Sequence, residues 1–297
     1  MKNNNSLRSS TVVITGASSG IGKAAALKFA EEGAHIVLAS RNADALKDLA
    51  IVCENLGGKA IAVPTDVTNK DEVFVLFHKA LDAFKTIDVW INNAGVGAIG
   101  EFTSTPLVAH EQVIKTNLFG PLYGCYAVLP YFKEKGKGTI INVNSTGSFI
   151  GNPYTVAYSA SKFGLRGFSE ALRFELKDFA DIHVCDLFAA FVDTPAFTHA
   201  ANYLGKEVKP TSPLIEPEKM AEAMVKLAKK PRPSIHIGAQ DRLGRLTHLV
   251  TPEMTGNILN KAVKTYFSKA KEVPKSDGNL FSPPSSDNTP MHGEGPS

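Results

Sequence analysis

Seven short runs of aliphatic and β-branched residues recur along the chain: "TVVIT" at 11–15, "HIVLA" at 35–39, "AIAV" at 60–63, "VWIN" at 89–92, "TIINV" at 139–143, "HVCDLF" at 183–188 and "SIHIG" at 234–238. None alternates apolar with polar residues over its length, so none reads as a strand with one wet face; strands of this kind are covered on both sides. Between them lie segments of helical period, such as Ile21, Ala25 and Phe29, or Val73, Phe77 and Leu81. Their apolar stripes suit crossover helices. Repeated β-α units of this type predict an α/β fold, a doubly wound parallel sheet of about seven strands with helices on both faces. Ligands of such sheets bind outside the carboxyl ends of the strands, so the residues just after each run are the ones to read for chemistry.

Composition narrows the classes. A chain of 297 residues with 43% hydrophobic and 21% charged positions has enough apolar material for one large or two modest domains. A net charge of +3 without long Lys or Arg runs excludes a nucleic-acid surface. Cys53, Cys125 and Cys185 are far apart and lack metal-ligand spacing, and the eight histidines are scattered, so no metal is expected and the thiols read as buried hydrophobes in a reducing compartment. "TVVIT" is too short for a signal-peptide core before Gly16. "TNLFGPLYGCYAVLPYF" is interrupted by Gly120, Pro121, Gly124 and Pro130 and reads as a buried helix rather than a membrane span. These features lead us to expect a cytoplasmic protein with no integral membrane segment. The expected organisation is a polar extension at 1–10, an α/β domain at 11–240, an amphipathic helical extension at 241–273 and a disordered tail at 274–297, rich in Pro, Ser, Gly, Asn and Asp. In the helical extension Leu259, Val263, Tyr266, Phe267 and Ala270 share a face expected to pack on the domain or on another subunit.

Chemistry concentrates at the strand ends. "VVITGASSGIG" sets Gly16, Gly20 and Gly22 at the turn from the first strand into the first helix, with Ser18 and Ser19 as hydroxyl donors and Ile21 beside them. Glycines there let the backbone approach a pyrophosphate, and the helix N-terminus offers that anion free N–H groups and a positive dipole end. A dinucleotide is the implied ligand. The second strand ends in Ser40 and Arg41 where an acid for the ribose 2′-hydroxyl is expected; an arginine binds a 2′-phosphate instead, which favours NADP(H) over NAD(H). Asp66 in "PTDV" is placed to accept from adenine, and Asn93, Ala94 and Gly95 in "INNAG" to flank the adenosine ribose. Ser145 in "VNSTGS" emerges at the same edge, shortly before "YSASK", whose Tyr158 and Lys162 are four apart and share one helix face. A phenol has a reference pKa of about 10, and a nearby ammonium is expected to lower it, making Tyr158 a usable acid-base.

In this order and at these separations "TGASSGIG", "NNAG", Asn117 in "KTNLFG", Ser145 and "YSASK" resemble the short-chain dehydrogenase/reductase family, over roughly residues 10–240. The resemblance implies a Rossmann-like fold, a catalytic set of Asn117, Ser145, Tyr158 and Lys162, and an adenosine half held by Asp66, Val67 and Asn93 to Gly95. It further implies a nicotinamide end held by Val192, Thr194 and Lys162, and assembly as a homodimer or homotetramer. The chain departs from the family's Pro-Gly after the sixth strand, reading Ala189 and Ala190 before "FVDTP". A substrate lid is expected over 191–217, with Phe149, Phe191, Phe197 and Tyr203 as apolar pocket residues. The leading expectation is hydride transfer between NADP(H) and a carbonyl or secondary alcohol of a small, fairly apolar molecule. A catalytically silent dinucleotide-binding regulator or scaffold is the alternative, and an epimerase or dehydratase of this family a lesser one.

Overall fold

A computed structural model of the chain describes residues 7–210, 212–238, 247–284 and 289–293. All seven expected strands form: β1 (Thr11–Thr15), β2 (His35–Ser40), β3 (Lys59–Pro64), β4 (Val89–Asn92), β6 (Gly138–Ser145), β7 (Ile182–Ala189) and β9 (Ser234–Ile237). They pair in the order β3-β2-β1-β4-β6-β7-β9, every pairing parallel. The chain winds outward from β1 through β2 to β3, then returns to lay β4 on the other side of β1. That reversal opens a crevice between the carboxyl ends of β1 and β4. Two further two-residue strands, β5 (Ala98–Ile99) and β8 (Ala201–Asn202), pair above this edge and were not visible in the sequence runs.

Both faces of the sheet are covered. Val12 and Ile14 of β1, Ile36 and Leu38 of β2 and Ile91 of β4 pack on α1 (Gly20–Glu31), α2 (Ala43–Asn55) and α8 (Pro217–Lys229). Val13, Val37, Trp90 and Ile140 face the opposite way, onto α3 (Lys70–Phe84) and α5 (Gly120–Lys135). Successive strand residues thus serve opposite cores, and for that reason the runs carry no polar alternation. The uncharged segment before and within α5 is only partly buried. Cys125, Val128 and Phe132 face the core, whereas Tyr126 is 70% exposed. Among the described residues no helix is long and apolar enough to cross a membrane.

A buried polar chain crosses the sheet below the crevice. Trp90 Nε1 donates to Asn92 Oδ1 (2.9 Å), Asn92 Nδ2 to Asn142 Oδ1 (2.8 Å) and Asn142 Nδ2 to Ser169 Oγ (2.8 Å) on α6 (Val156–Glu175). Beside it Asp186 on β7 is fully buried and meets Arg173 of α6 at 2.7 Å. Burial pushes the Asp186 carboxyl upward and Arg173 pulls it back.

The short helix α4 (Leu107–Ile114) precedes α5, and α7 (Ala196–His199) and α9 (Pro252–Lys269) complete the described helices named here. The expected face of α9 is turned inward only in part: Leu259, Val263, Phe267 and Ala270 are half-buried, and the Phe267 ring sits edge-on to Tyr154 with centroids 5.3 Å apart. The first six residues, the start of the helical extension at 241–246 and the last four residues lie outside the described ones. Of the tail expected from composition to be disordered, residues 274–284 and 289–293 are among the described ones. They lie against the domain, and Leu280 is fully buried.

Replacing Arg173 by Met should leave Asp186 buried without its cation and lower stability by about 3–5 kcal/mol. The midpoint of urea unfolding measures this, and an unchanged midpoint would mean that Arg173 does not support the carboxylate.

Candidate active site

The glycine-rich turn is built by close backbone packing. Gly16 adopts φ +65°, and a Cβ there would lie 2.7 Å from Ala94 Cα; one on Gly22 would strike the Gly16 carbonyl and lie 2.6 Å from Asn93 Nδ2. Asn93 fixes the contact, its amide donating to the carbonyls of Thr15 (2.9 Å) and Gly16 (3.0 Å). Thr15, passed over in the sequence, accepts from the N–H groups of Asn93 and Ala94 through Oγ1 and donates to the Ile91 carbonyl. The glycines thus serve turn-to-loop packing as well as ligand approach. Gly20 (φ +50°) faces Thr194 across the crevice, with 3.2 Å available to a Cβ. α1 carries no acid in its first turn, and the Ser19 side chain makes no cap bond. This helix end therefore keeps its positive character for an anion, as a dinucleotide's pyrophosphate requires.

At the carboxyl end of β2 Ser40 is buried and its Oγ accepts from Asn42 N–H at 3.2 Å. Arg41 follows, its pKa lowered by burial and raised by the Asp66 charge. Asp66 Oδ1 accepts from both the N–H and the hydroxyl of Thr68, a local turn, so the carboxylate expected at adenine already carries two bonds. Val67 is buried beneath it and touches the space over Gly120. Ile21 packs on the core from α1, and Gly95 lies 3.5 Å, measured from an added Cβ, from Asn117 Oδ1.

Asn117 stands on a π-helical turn, Lys115–Phe119, which joins α4 to α5. π-bulges re-aim a side chain within a helix. Here Asn117 is fully buried, accepts from Val96 N–H (2.9 Å) and donates to the Val96 carbonyl (3.0 Å) and Ser161 Oγ (3.2 Å). Ser161 in turn donates to the Tyr158 carbonyl at 2.7 Å. Asn117 thereby ties the loop after β4 to α6. Ser161 lies inside "YSASK", between the two residues whose spacing carries that motif.

Ser145 ends β6, its Oγ accepts from Gly147 N–H at 3.1 Å and it stands next to the Tyr158 phenol, while Gly147 lets the ring approach, an added Cβ there lying 3.4 Å from Tyr158 Cε1. Lys162 follows one turn after Tyr158, buried, donating from Nζ to the Val143 carbonyl at 2.9 Å and lying 5.8 Å from the centre of the Tyr158 ring. Burial lowers the Lys162 pKa to about 8, against the opposing pull of Asp186. Burial also raises the Tyr158 pKa, and the Ser145 hydroxyl offsets part of that. This direction is opposite to the one the spacing suggests, because desolvation outweighs an ammonium turned toward a backbone carbonyl.

After β7 the Ala189–Ala190 loop is held without Pro or Gly. Ile215 donates its N–H to the Phe191 carbonyl (2.9 Å) and accepts from Asp193 N–H (2.8 Å), which buries Val192 and Thr194 at the crevice. The rings of Phe191 and Phe197 are 5.8 Å apart on this segment. Tyr203 donates to Asp277 Oδ1 at 2.6 Å. Phe149 packs elsewhere, 4.9 Å from Phe188 and 4.5 Å from the Arg166 guanidinium, measured to its ring centre. Among the described residues Asp193, Glu216 and His292 bring possible ligand atoms within 4.8 Å of one another. Contacts of His292 with Asp193 (3.4 Å) and Glu216 (3.6 Å) account for that cluster as charge pairing.

Comparison with known proteins agrees with this geometry. The short chain dehydrogenase family model matches residues 10–203. The uncharacterized oxidoreductase YxnA of Bacillus subtilis is 34% identical over 273 residues, 91% of this chain and 76% of its own. The 3-ketodihydrosphingosine reductase of Bacteroides thetaiotaomicron is 40% identical over 177 residues, 59% of this chain and 61% of its own. Among solved structures, an alcohol dehydrogenase from the archaeon Thermococcus sibiricus complexed with 5-hydroxy-NADP superposes with a TM-score of 0.67 at 27% identity, covering 77% of this chain and 96% of that one. The chain belongs to the short-chain dehydrogenase family of oxidoreductases, whose members bind nicotinamide dinucleotides.

Proposed function

We propose that this protein is an NADP(H)-dependent oxidoreductase interconverting a carbonyl and a secondary alcohol on a small, fairly apolar molecule. The observation that carries the reading is the Tyr158 phenol beside Ser145, with the buried Lys162 ammonium one helical turn on and 5.8 Å from the centre of the Tyr158 ring. Bound nicotinamide supplies or accepts the hydride at the substrate carbon. The chain's own residues manage the proton. Burial keeps Tyr158 protonated near neutrality, the form that donates to a carbonyl oxygen during reduction, and the Ser145 hydroxyl holds that oxygen. Lys162 then stabilises the phenolate left behind. In oxidation the phenolate takes the alcohol proton.

Arg41, with no acid at Ser40, supports NADP(H): a charge-assisted bond to a 2′-phosphate contributes about 1.5–3 kcal/mol. Phe191 and Phe197 near the nicotinamide loop favour an apolar substrate, in keeping with the name of the 3-ketodihydrosphingosine reductase relative. Tyr126 on α5 (70% exposed) and Phe174 on α6 (61% exposed) supply apolar surface for a homodimer or homotetramer. The free, buried cysteines suit a cytoplasmic site of action.

Tyr158→Phe should lower turnover of a ketone panel by about 10²–10⁴-fold while leaving NADPH affinity nearly unchanged, since only the proton donor is lost; retained turnover would remove Tyr158 from the chemistry. Arg41→Ala should weaken NADPH roughly ten- to hundred-fold more than NADH, read as the ratio of the two dissociation constants by nicotinamide fluorescence. An unchanged ratio sinks the cofactor assignment. Because kcat/KM reports the free enzyme, reduction should lose efficiency as pH rises through about 8, where Lys162 gives up its charge. A flat profile from pH 7 to 9 would show that the Lys162 charge is not required.

A further inference from the structure

The donors arranged for a dinucleotide already hold the chain's own C-terminal segment. Arg41 donates from Nη2 to the Asn279 carbonyl at 2.5 Å and from Nη1 to the Leu280 carbonyl at 3.2 Å, and Asn42 Nδ2 donates to the Pro284 carbonyl at 3.1 Å. The Leu280 side chain is fully buried in a cluster with Val96, Ala98, Val113 and Ala157, against which Tyr158 packs. A residue bonded at the end of β2 and packed on the loop after β4 lies in the groove between those strand ends, where the adenosine half belongs. The second stretch, 289–293, crosses the other half. Gly20 N–H, at the mouth of α1, donates to the Pro290 carbonyl at 3.1 Å, and Lys23 Nζ donates to the Thr289 carbonyl at 3.1 Å. Gly293 N–H donates to Asp193 Oδ1 at 3.2 Å, beside Thr194.

We propose that the C-terminal segment, seen at 276–284 and 289–293, is a plug of the dinucleotide cleft that must leave before cofactor enters, an inference that rests on the dinucleotide reading above. Its carbonyls take the N–H and guanidinium donors that phosphate oxygens need, so the two occupants exclude each other. The plug is also fastened outside the cleft. Ser276 exchanges backbone bonds with Asn202, Asn279 N–H donates to the His199 carbonyl at 2.7 Å, and Gly278 sits at φ +51° where a Cβ would strike that same carbonyl. Occupancy by the plug lowers apparent cofactor affinity in proportion to the fraction of open molecules.

The test is made on the full-length chain. Gly278→Val forbids the docked backbone without touching the cofactor donors, and Leu280→Asp removes the buried anchor as a second, independent variant. NADPH titrated by nicotinamide fluorescence should bind either variant on the order of ten-fold more tightly than wild type. Limited proteolysis of the wild type should cleave the tail faster once NADPH is added. Equal or weaker binding by the folded variants, or protection of the tail by NADPH, overturns the plug. Should both variants fail to fold, the wild-type proteolysis decides alone. Absence of any nicotinamide dinucleotide binding in wild type and variants alike would overturn the dinucleotide reading itself, and the plug with it.

Discussion

The site depends on one contact from which side chains are excluded: the turn after β1 resting on the loop after β4. Gly16 and Gly22 leave no room for a Cβ between that turn and Asn93–Ala94, and the Asn93 amide with the Thr15 hydroxyl staples the two together. Strand order reverses at this place, so the crevice opens where the backbone is most tightly fixed. From there α1 presents its N-terminus, and Val96 after β4 exchanges two bonds with Asn117, donating to its Oδ1 and accepting from its Nδ2. The same Asn117 reaches Ser161, and through it α6, so the helix carrying Tyr158 and Lys162 is referenced to the dinucleotide turn.

Burial then sets the chemistry. Lys162 is lowered to about 8 and Tyr158 is raised, both by desolvation. A pair that exchanged full charge in water would do little at a surface; on the proposed mechanism the buried ammonium has its effect at the moment a phenolate forms, because only then is there a negative charge to stabilise. The buried Asp186 carboxylate, itself held by Arg173, sustains the Lys162 charge against burial. A site tuned in this way is costly to hold together, and the Trp90–Asn92–Asn142–Ser169 chain supplies the polar satisfaction that the sheet interior needs.

The parallel sheet was legible because its signal is local and repeated: each strand is an unbroken apolar run, and the helices between keep their own period. The strand ends were legible for the same reason, since chemistry-bearing residues follow the runs directly. What escaped was set by tertiary context. Thr15 and Ser161 are ordinary hydroxyls until β4 and α4 are brought beside them. The sign of the Tyr158 shift required knowing how deeply the phenol is buried and where Lys162 Nζ turns. The place of Phe149 after β6 does not show that its ring meets Phe188 at a tilt and lies against the Arg166 guanidinium. For the tail, Pro, Ser and Gly signal disorder when nothing receives their carbonyls, and composition alone does not show the row of donors, Arg41, Asn42, Gly20 and Lys23, that meets the carbonyls of this segment.

That row explains why a tail of low hydrophobicity can dock at all. The donors of a dinucleotide site are arranged for phosphate charge, and without it they are partly desolvated groups in search of an acceptor. A backbone carbonyl is neutral and binds them more weakly than a phosphate oxygen, by roughly a factor of two per bond. Tethering compensates, because a segment attached through α9 is present at a high effective concentration that a free ligand must match. Under the plug proposal, weak bonds at high local concentration compete with strong bonds at the cell's cofactor concentration. Leu280 shifts that balance toward the tail by burying an apolar side chain beside Tyr158, a contribution that owes nothing to charge and that a dinucleotide must forfeit on entry.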